Sequence, residues 1–185
     1  MKQMVMILLA SLGAMLSVPT LAQPLGTVMA AETKQSFILR SRNQIPSLTG
    51  DTVIYIHSIA ANRIREEHSF MAARDDDGGW TISAMGERGP AAESIAISVI
   101  PEKKRKLSKA EGAILNRLLG DTSLYTAIST LPREPDRNAT YHMMEVVTPG
   151  HRVVVRWVGI LPGVPGQVAG IVMDAGTAKR RPGKR

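Results

Sequence analysis

The sequence predicts an α+β domain in which a mainly antiparallel sheet of about seven strands packs against one main helix, residues 109–119. Three observations carry this expectation. Several short segments alternate apolar and polar residues and are joined by Gly- and Pro-containing turns too short for parallel crossovers. One segment repeats its apolar residues at three- and four-residue intervals behind a capping box. No internal repeat of roughly 20 to 50 residues recurs, which excludes a solenoid or a propeller.

The elements follow in order. Residues 1–22 combine Lys2, an apolar run over residues 4–16 and the small side chains of Thr20 and Ala22, the pattern of a cleaved signal peptide cut between Ala22 and Gln23. The run is too short to span a bilayer, where roughly 20 apolar residues are needed, so no permanent anchor is expected. Residues 23–50, with Pro24, Gly26, Pro46 and Gly50, read as a tether containing an edge strand at Phe37-Ile38-Leu39. A single domain over residues 51–175 then opens with Val53-Ile54-Tyr55-Ile56, β-branched and aromatic, expected as a strand buried on both faces.

Residues 69–74 and 80–85 flank Asp75-Asp76-Asp77-Gly78-Gly79, and folding about that turn sets Arg74 opposite Trp80, Ala72 opposite Ile82 and Phe70 opposite Ala84. Ile95, Ile97 and Val99 alternate as a half-buried strand that Pro101 ends, and residues 102–106 read as a charged loop. Ser108-Lys109-Ala110-Glu111 is a capping box. Ala110, Ile114, Leu115, Leu118 and Leu119 form the apolar stripe behind it, and Gly120 is expected as a left-handed stop. A further short helix is expected within 121–128 and a loop over 131–138. Residues 141–147 and 152–161 flank Thr148-Pro149-Gly150-His151, a type II turn. Pro162-Gly163 and Pro165-Gly166 are expected to reverse the chain into a last strand at 168–173.

Composition limits the chemistry. The chain has 185 residues, enough for one domain, and 44% are hydrophobic, which rules out wholesale disorder. It has no cysteine, so disulfide scaffolds, cysteine zinc sites, thiol catalysis and thioether or thioester lipid anchors are excluded. Gly-x-Ser-x-Gly, His-Glu-x-x-His, Gly-x-Gly-x-x-Gly and the phosphate-loop string are all absent. Gly163, Gly166 and Gly170 therefore read as turn formers.

The candidate catalytic residues are His57, Glu66 and His68, an imidazole pair with a carboxylate suited to acid–base work. Glu67 lies on the other strand face from Glu66 and His68. His142-Met143-Met144-Glu145 offers soft ligands, but alternation sends the two Met side chains opposite ways, so no copper site is expected. The Asp75–Gly79 run lacks the spacing of a calcium loop and reads as a solvated turn, and Asn138-Ala139-Thr140 matches a glycosylation acceptor of low specificity. No metal or cofactor is expected.

The formal charge of +7 concentrates in Lys103-Lys104-Arg105-Lys106 and in a disordered basic tail, residues 176–185, with Lys179, Arg180, Arg181, Lys184 and Arg185. No aromatic residues are interleaved with that tail to stack on bases, so nucleic acid is not the expected partner. The expectation is an exported protein, periplasmic or secreted, that binds an envelope protein or an anionic envelope polymer without catalysis. One alternative is an envelope hydrolase or metal-dependent enzyme using His57, Glu66 and His68; another is a structural envelope protein held electrostatically by its basic tail.

Overall fold

A computed structural model describes residues 34–61, 64–90, 97–130 and 138–178. The signal segment with its cut at Ala22 and Gln23, Ile95, the 131–137 loop and the basic tail from Lys179 onward lie outside the described residues. The fold is α+β: one open antiparallel sheet of six strands and three helices. Helix α1 (Lys34–Arg42) precedes strands β1 (Thr52–Ala61), β2 (Ile64–Arg74), β3 (Trp80–Pro90) and β4 (Ser98–Lys106). Helix α2 (Lys109–Leu119), strands β5 (Thr140–Thr148) and β6 (His151–Val158), and helix α3 (Gly163–Thr177) follow, and the strands lie in the order β4-β3-β2-β1-β5-β6.

The hairpin register is the one the sequence dictates: Phe70 pairs with Ala84, Ala72 with Ile82 and Arg74 with Trp80. The turn closes because Asp75 accepts from Gly79 N through its carboxylate (2.6 Å), while Gly78 adopts φ +78°, open to glycine and few other residues. β1 is central, with Ile54 and Ile56 fully buried on one face and Val53 on the other. β5 and β6 turn through Pro149 and Gly150, whose φ of +88° is that of the third position of a type II turn.

Alternation along the strands gives the sheet two unlike faces. The apolar face carries Ile54, Ile56, Phe70, Ala72, Ile82, Met144, Val146 and Val155, closed over by Leu115 and Leu118 of α2 and Val168, Ala169 and Val172 of α3. The other face mixes a small apolar group, Val53, Met71, Ala73 and Met85, with polar side chains that are also buried. Ser69, Ser83, Glu67, Glu87, Glu145 and His57 lie there, each 7% exposed or less, and α1 lies across β1, β2 and β3 on that side.

Arg40 of α1 is the anchor. Its Nε donates to Ser69 Oγ (2.7 Å), its Nη1 to Ser83 Oγ (2.9 Å) and its Nη2 to the Ser83 carbonyl (2.7 Å). Ser83 in turn donates to Glu102 (2.5 Å), so the buried guanidinium is answered through a hydroxyl rather than by direct contact. Burial pushes Arg40 down to about 10, against the opposing pull of Glu102, which leaves it charged at neutral pH. Arg42 and Asn43 both donate to the buried Glu87 carboxylate. The helix stops in a Schellman motif: Gln44 takes φ +57°, Gln44 N reaches Ser41 O (3.0 Å) and Ile45 N reaches Arg40 O (2.9 Å).

Several sequence expectations are corrected. Phe37-Ile38-Leu39 is part of α1, not an edge strand, because the inward positions of this helix are Ser36, Leu39 and Arg40, and polar residues hide its period. Residues 102–106 are not a loop, since β4 continues through Pro101 to Lys106 as an edge strand; Ile97 and Val99 are more than half exposed. The 168–173 strand is instead the middle of α3. Pro162 stands just outside that helix and Pro165 in its first turn, where a missing N–H costs nothing, and Val168, Val172 and Ala175 repeat at helical spacing.

Gly166 approaches the Leu161 carbonyl and Gly176 approaches Ala84 and Phe70 closely enough that a Cβ would collide, so packing, not turn formation, explains both. The capping box on α2 forms as expected, with Glu111 N donating to Ser108 Oγ and Ser108 N to Glu111 Oε2 (2.8 Å). Its stripe runs through Gly112, Leu115 and Leu118 while Ile114 is exposed, and Gly120 stays right-handed (φ −82°). A single 3-10 turn, Thr122–Leu124, stands in place of the further helix.

Candidate functional site

Beyond the end of α3, one row of cross-strand neighbours runs the whole width of the apolar face: Ile100, Gly86, His68, Ser58, His142 and Trp157. The row is polar at its centre because the α3 seat ends at Phe70 and Ala84, where Gly176 packs, one step before His68 and Gly86.

Ser58 lies directly between two imidazoles. Its Oγ is hydrogen-bonded to His142 Nδ1 at 2.7 Å, and His142 stacks on Trp157 with centroids 4.9 Å apart and planes inclined by 18°. On the other side His68 Nε2 meets Glu66 Oε1 at 2.9 Å, and Glu66 Oε2 lies 3.8 Å from Arg88 Nε. A Cβ on Gly86 would stand 2.7 Å from His68 Nδ1, so only glycine leaves that imidazole its place. Burial lowers the His142 pKa, which keeps the ring neutral and able to accept a proton at neutral pH. The side chains of His68 (28% exposed) and Glu66 (38%) open to solvent, while Ser58 is 3% exposed.

The structure divides the residues the sequence singled out. Glu66 and His68 pair as their common parity requires. His57 does not join them: it is paired with Ser69, and therefore faces the opposite side of the sheet. There its Nε2 lies 3.4 Å from Glu67 Oε1, Arg65 donates to Glu67 Oε2 (3.1 Å), and its Nδ1 has no hydrogen-bond partner among the described residues. Burial lowers the His57 pKa against the opposing pull of Glu67. Ser58 and His142 are the members that sequence reasoning missed as a pair. The signal was parity, since Ser58 shares a face with Ile54 and Ile56, but the partner strand lies 84 residues away.

Met143 and Met144 face opposite ways, with Met144 fully buried. Among the described residues no three His, Asp or Glu side chains converge as a metal site. A cavity of about 270 Å³ lies between the Asp75–Gly79 turn and α2, and three of its polar side chains are engaged: Trp80 Nε1 donates to Asn116 (2.9 Å) and Ser108 caps α2. No helix of the described residues is long and apolar enough to cross a membrane. No family model matches the chain, and no curated protein is significantly similar to it.

Proposed function

We propose that the chain is an exported protein, periplasmic or secreted, that binds a polar ligand without transforming it, at the histidine end of the apolar face. The observation that carries this reading is the Ser58-flanking pair of imidazoles, with Glu66 and Arg88 at the solvent side, in the one stretch of that face beyond the α3 seat. Together these groups supply both hydrogen-bond donors and acceptors, on rigid strands that hold their spacing. The leader-like run of residues 4–16 supports export.

Binding is favoured over catalysis by position. β1 pairs on both sides, so the backbone N–H groups around Ser58 are engaged in the sheet ladder and none is left to hold an oxyanion. A second reading rests on the 2.7 Å contact between Ser58 and His142, the beginning of a nucleophile and base. In it Ser58 and His142 replace His57 in the enzyme that the sequence suggested.

Three measurements test these readings. Mass spectrometry of the exported product is expected to find Gln23 as the first residue; an intact leader in a cytosolic product would overturn export. Imidazole NMR during a screen of polar organic acids, amines and sugars is expected to move the His68 and His142 signals and leave His57 still. His68→Ala should weaken any such ligand about tenfold, while ligands that spare both rings overturn the site. A fluorophosphonate probe is expected to leave Ser58 unmodified; a covalent adduct lost in Ser58→Ala would replace binding with hydrolysis.

A further inference from the structure

The two edges of the sheet are finished differently. β6 is covered at Trp157, where Thr130 forms a bridge, Thr130 N donates to Arg156 O (2.8 Å) and Arg156 N donates to Ser129 Oγ (3.0 Å). Among the described residues β4 pairs only with β3, and it carries Lys103, Lys104, Arg105 and Lys106 in succession. Register puts Lys103 and Arg105 on the apolar face and Lys104 and Lys106 on the polar one, so the strand bears cations on both sides. Arg105 is answered by Glu111 and Lys104 by Glu102 at 3.5 Å, whereas Lys103 and Lys106 have no carboxylate partner among the described residues.

What meets this edge can be narrowed. An added polypeptide strand is disfavoured, because Pro101 removes a backbone donor and the register shift opposite Ala84 and Gly86 breaks the ladder, two devices that blunt edges. A purely ionic polymer would have no use for apolar groups, yet Ile97 is 60% and Val99 51% exposed at the start of the same edge, ahead of the lysines. Cations and exposed aliphatic side chains in succession along one edge match the boundary of an anionic bilayer, with phosphates above and acyl chains below.

The second basic run of the sequence begins at the same place. Gly176 of α3 packs on Ala84, whose cross-strand partner is Lys103, and the chain passes from Ala178 directly into Lys179, Arg180 and Arg181. We propose that β4 is a docking edge for an anionic lipid surface, with Lys103 and Lys106 meeting headgroup phosphates and Val99 the acyl boundary. This inference is independent of the histidine site.

The experiment is co-sedimentation of the purified protein with vesicles of phosphatidylcholine alone or containing about one-third phosphatidylglycerol. Binding is expected only to the anionic vesicles and should fall about tenfold at roughly 0.5 M salt. Lys103→Glu with Lys106→Glu should weaken it about tenfold at unchanged circular dichroism, and Lys103→Gln with Lys106→Gln by a smaller factor. Deleting residues 179–185 should weaken it further, and Val99→Ser should weaken it at low and high salt alike. Equal binding to both vesicles, or no response to the Lys103 and Lys106 variants, would overturn the proposal. So would inorganic polyphosphate or polyglutamate competing as effectively against Val99→Ser as against the parent, since the partner would then be ionic only.

Discussion

The two faces of this sheet are buried by different means. Under α2 and α3, Ile56, Ile82, Met144 and Val155 are excluded from water by aliphatic neighbours. Under α1, Ser69, Ser83 and Glu87 are excluded by side chains that hydrogen-bond them. The apolar contacts are non-directional and scale with area, so that face tolerates small shifts. The polar contacts have fixed directions, and α1 has essentially one position in which Arg40 meets both serines while Arg42 and Asn43 meet Glu87. The comparison separates what stabilises the sheet from what places the helix.

Four measurements would break or sharpen that contrast. The largest difference is expected between Ile56→Ala, which empties a site in the apolar core at about 2–5 kcal/mol, and Arg40→Met, which should change stability by about 1 kcal/mol or less. Arg40→Met leaves Ser69 bonded to Ser36 (2.5 Å) and Ser83 to Glu102, so no hydroxyl is orphaned. Equal midpoints in a urea titration of the two variants would erase the distinction between the faces.

Next comes Arg42→Ala. It strips the main cation from a carboxylate that is 8% exposed, and should lower stability by about 2 kcal/mol, moderated by the half-exposed position of Arg42 and the remaining bond from Asn43. Adding Glu87→Gln should recover part of that loss in a double-mutant cycle. Ser108→Ala, at the start of α2, belongs to neither face and should cost about 1 kcal/mol, with the thermal midpoint as the readout.

The smallest effect is a slope. His57 on the polar face and His142 on the apolar face both have pKa values lowered by burial. The unfolded chain then takes up protons first, so stability is complete above the ordinary imidazole value near 6.5 and declines as pH falls through it toward the folded values. His57→Gln is expected to flatten this decline more than His142→Gln, because His57 is the more deeply buried. The carboxylates of Asp51, held low by Arg74, and Glu111, held low by the Ser108 backbone, act in the more acidic range and leave this window clear. A denaturation series across pH 7.5 to 5 in which neither variant differs from the parent would assign the slope elsewhere.

Much of the apolar face was legible in the sequence. The five-residue turn and the parity of Phe70, Ala72, Trp80 and Ile82 set the β2–β3 register to the residue, and the Ser108 and Glu111 box set where α2 begins. The polar face was not legible. In α1 two of the three inward positions are serine and arginine, with Leu39 between them, while Phe37 and Ile38 are exposed, which masks the usual pattern. In α3 the two Pro-Gly pairs look like turns unless the period of Val168, Val172 and Ala175 is given more weight. Half of the candidate site was local: Glu66 and His68 are two residues apart. The other half needed the β1–β5 pairing, a contact that no short-range pattern encodes, and His57 is parted from His68 by the β1–β2 register, which sets Ser58 rather than His57 opposite His68.

The anchor of α1 also bears on the order of assembly. Ser69 and Ser83 lie 29 and 43 residues downstream of Arg40, so a chain growing from its N-terminus makes the helix long before it makes the helix's seat. Until β2 and then β3 have been made, the two serines that hold that guanidinium are missing. Closure of the polar layer therefore waits for β3 but can precede synthesis of α2 and α3, and any machinery that holds the nascent N-terminus meets a segment whose docking contacts do not yet exist.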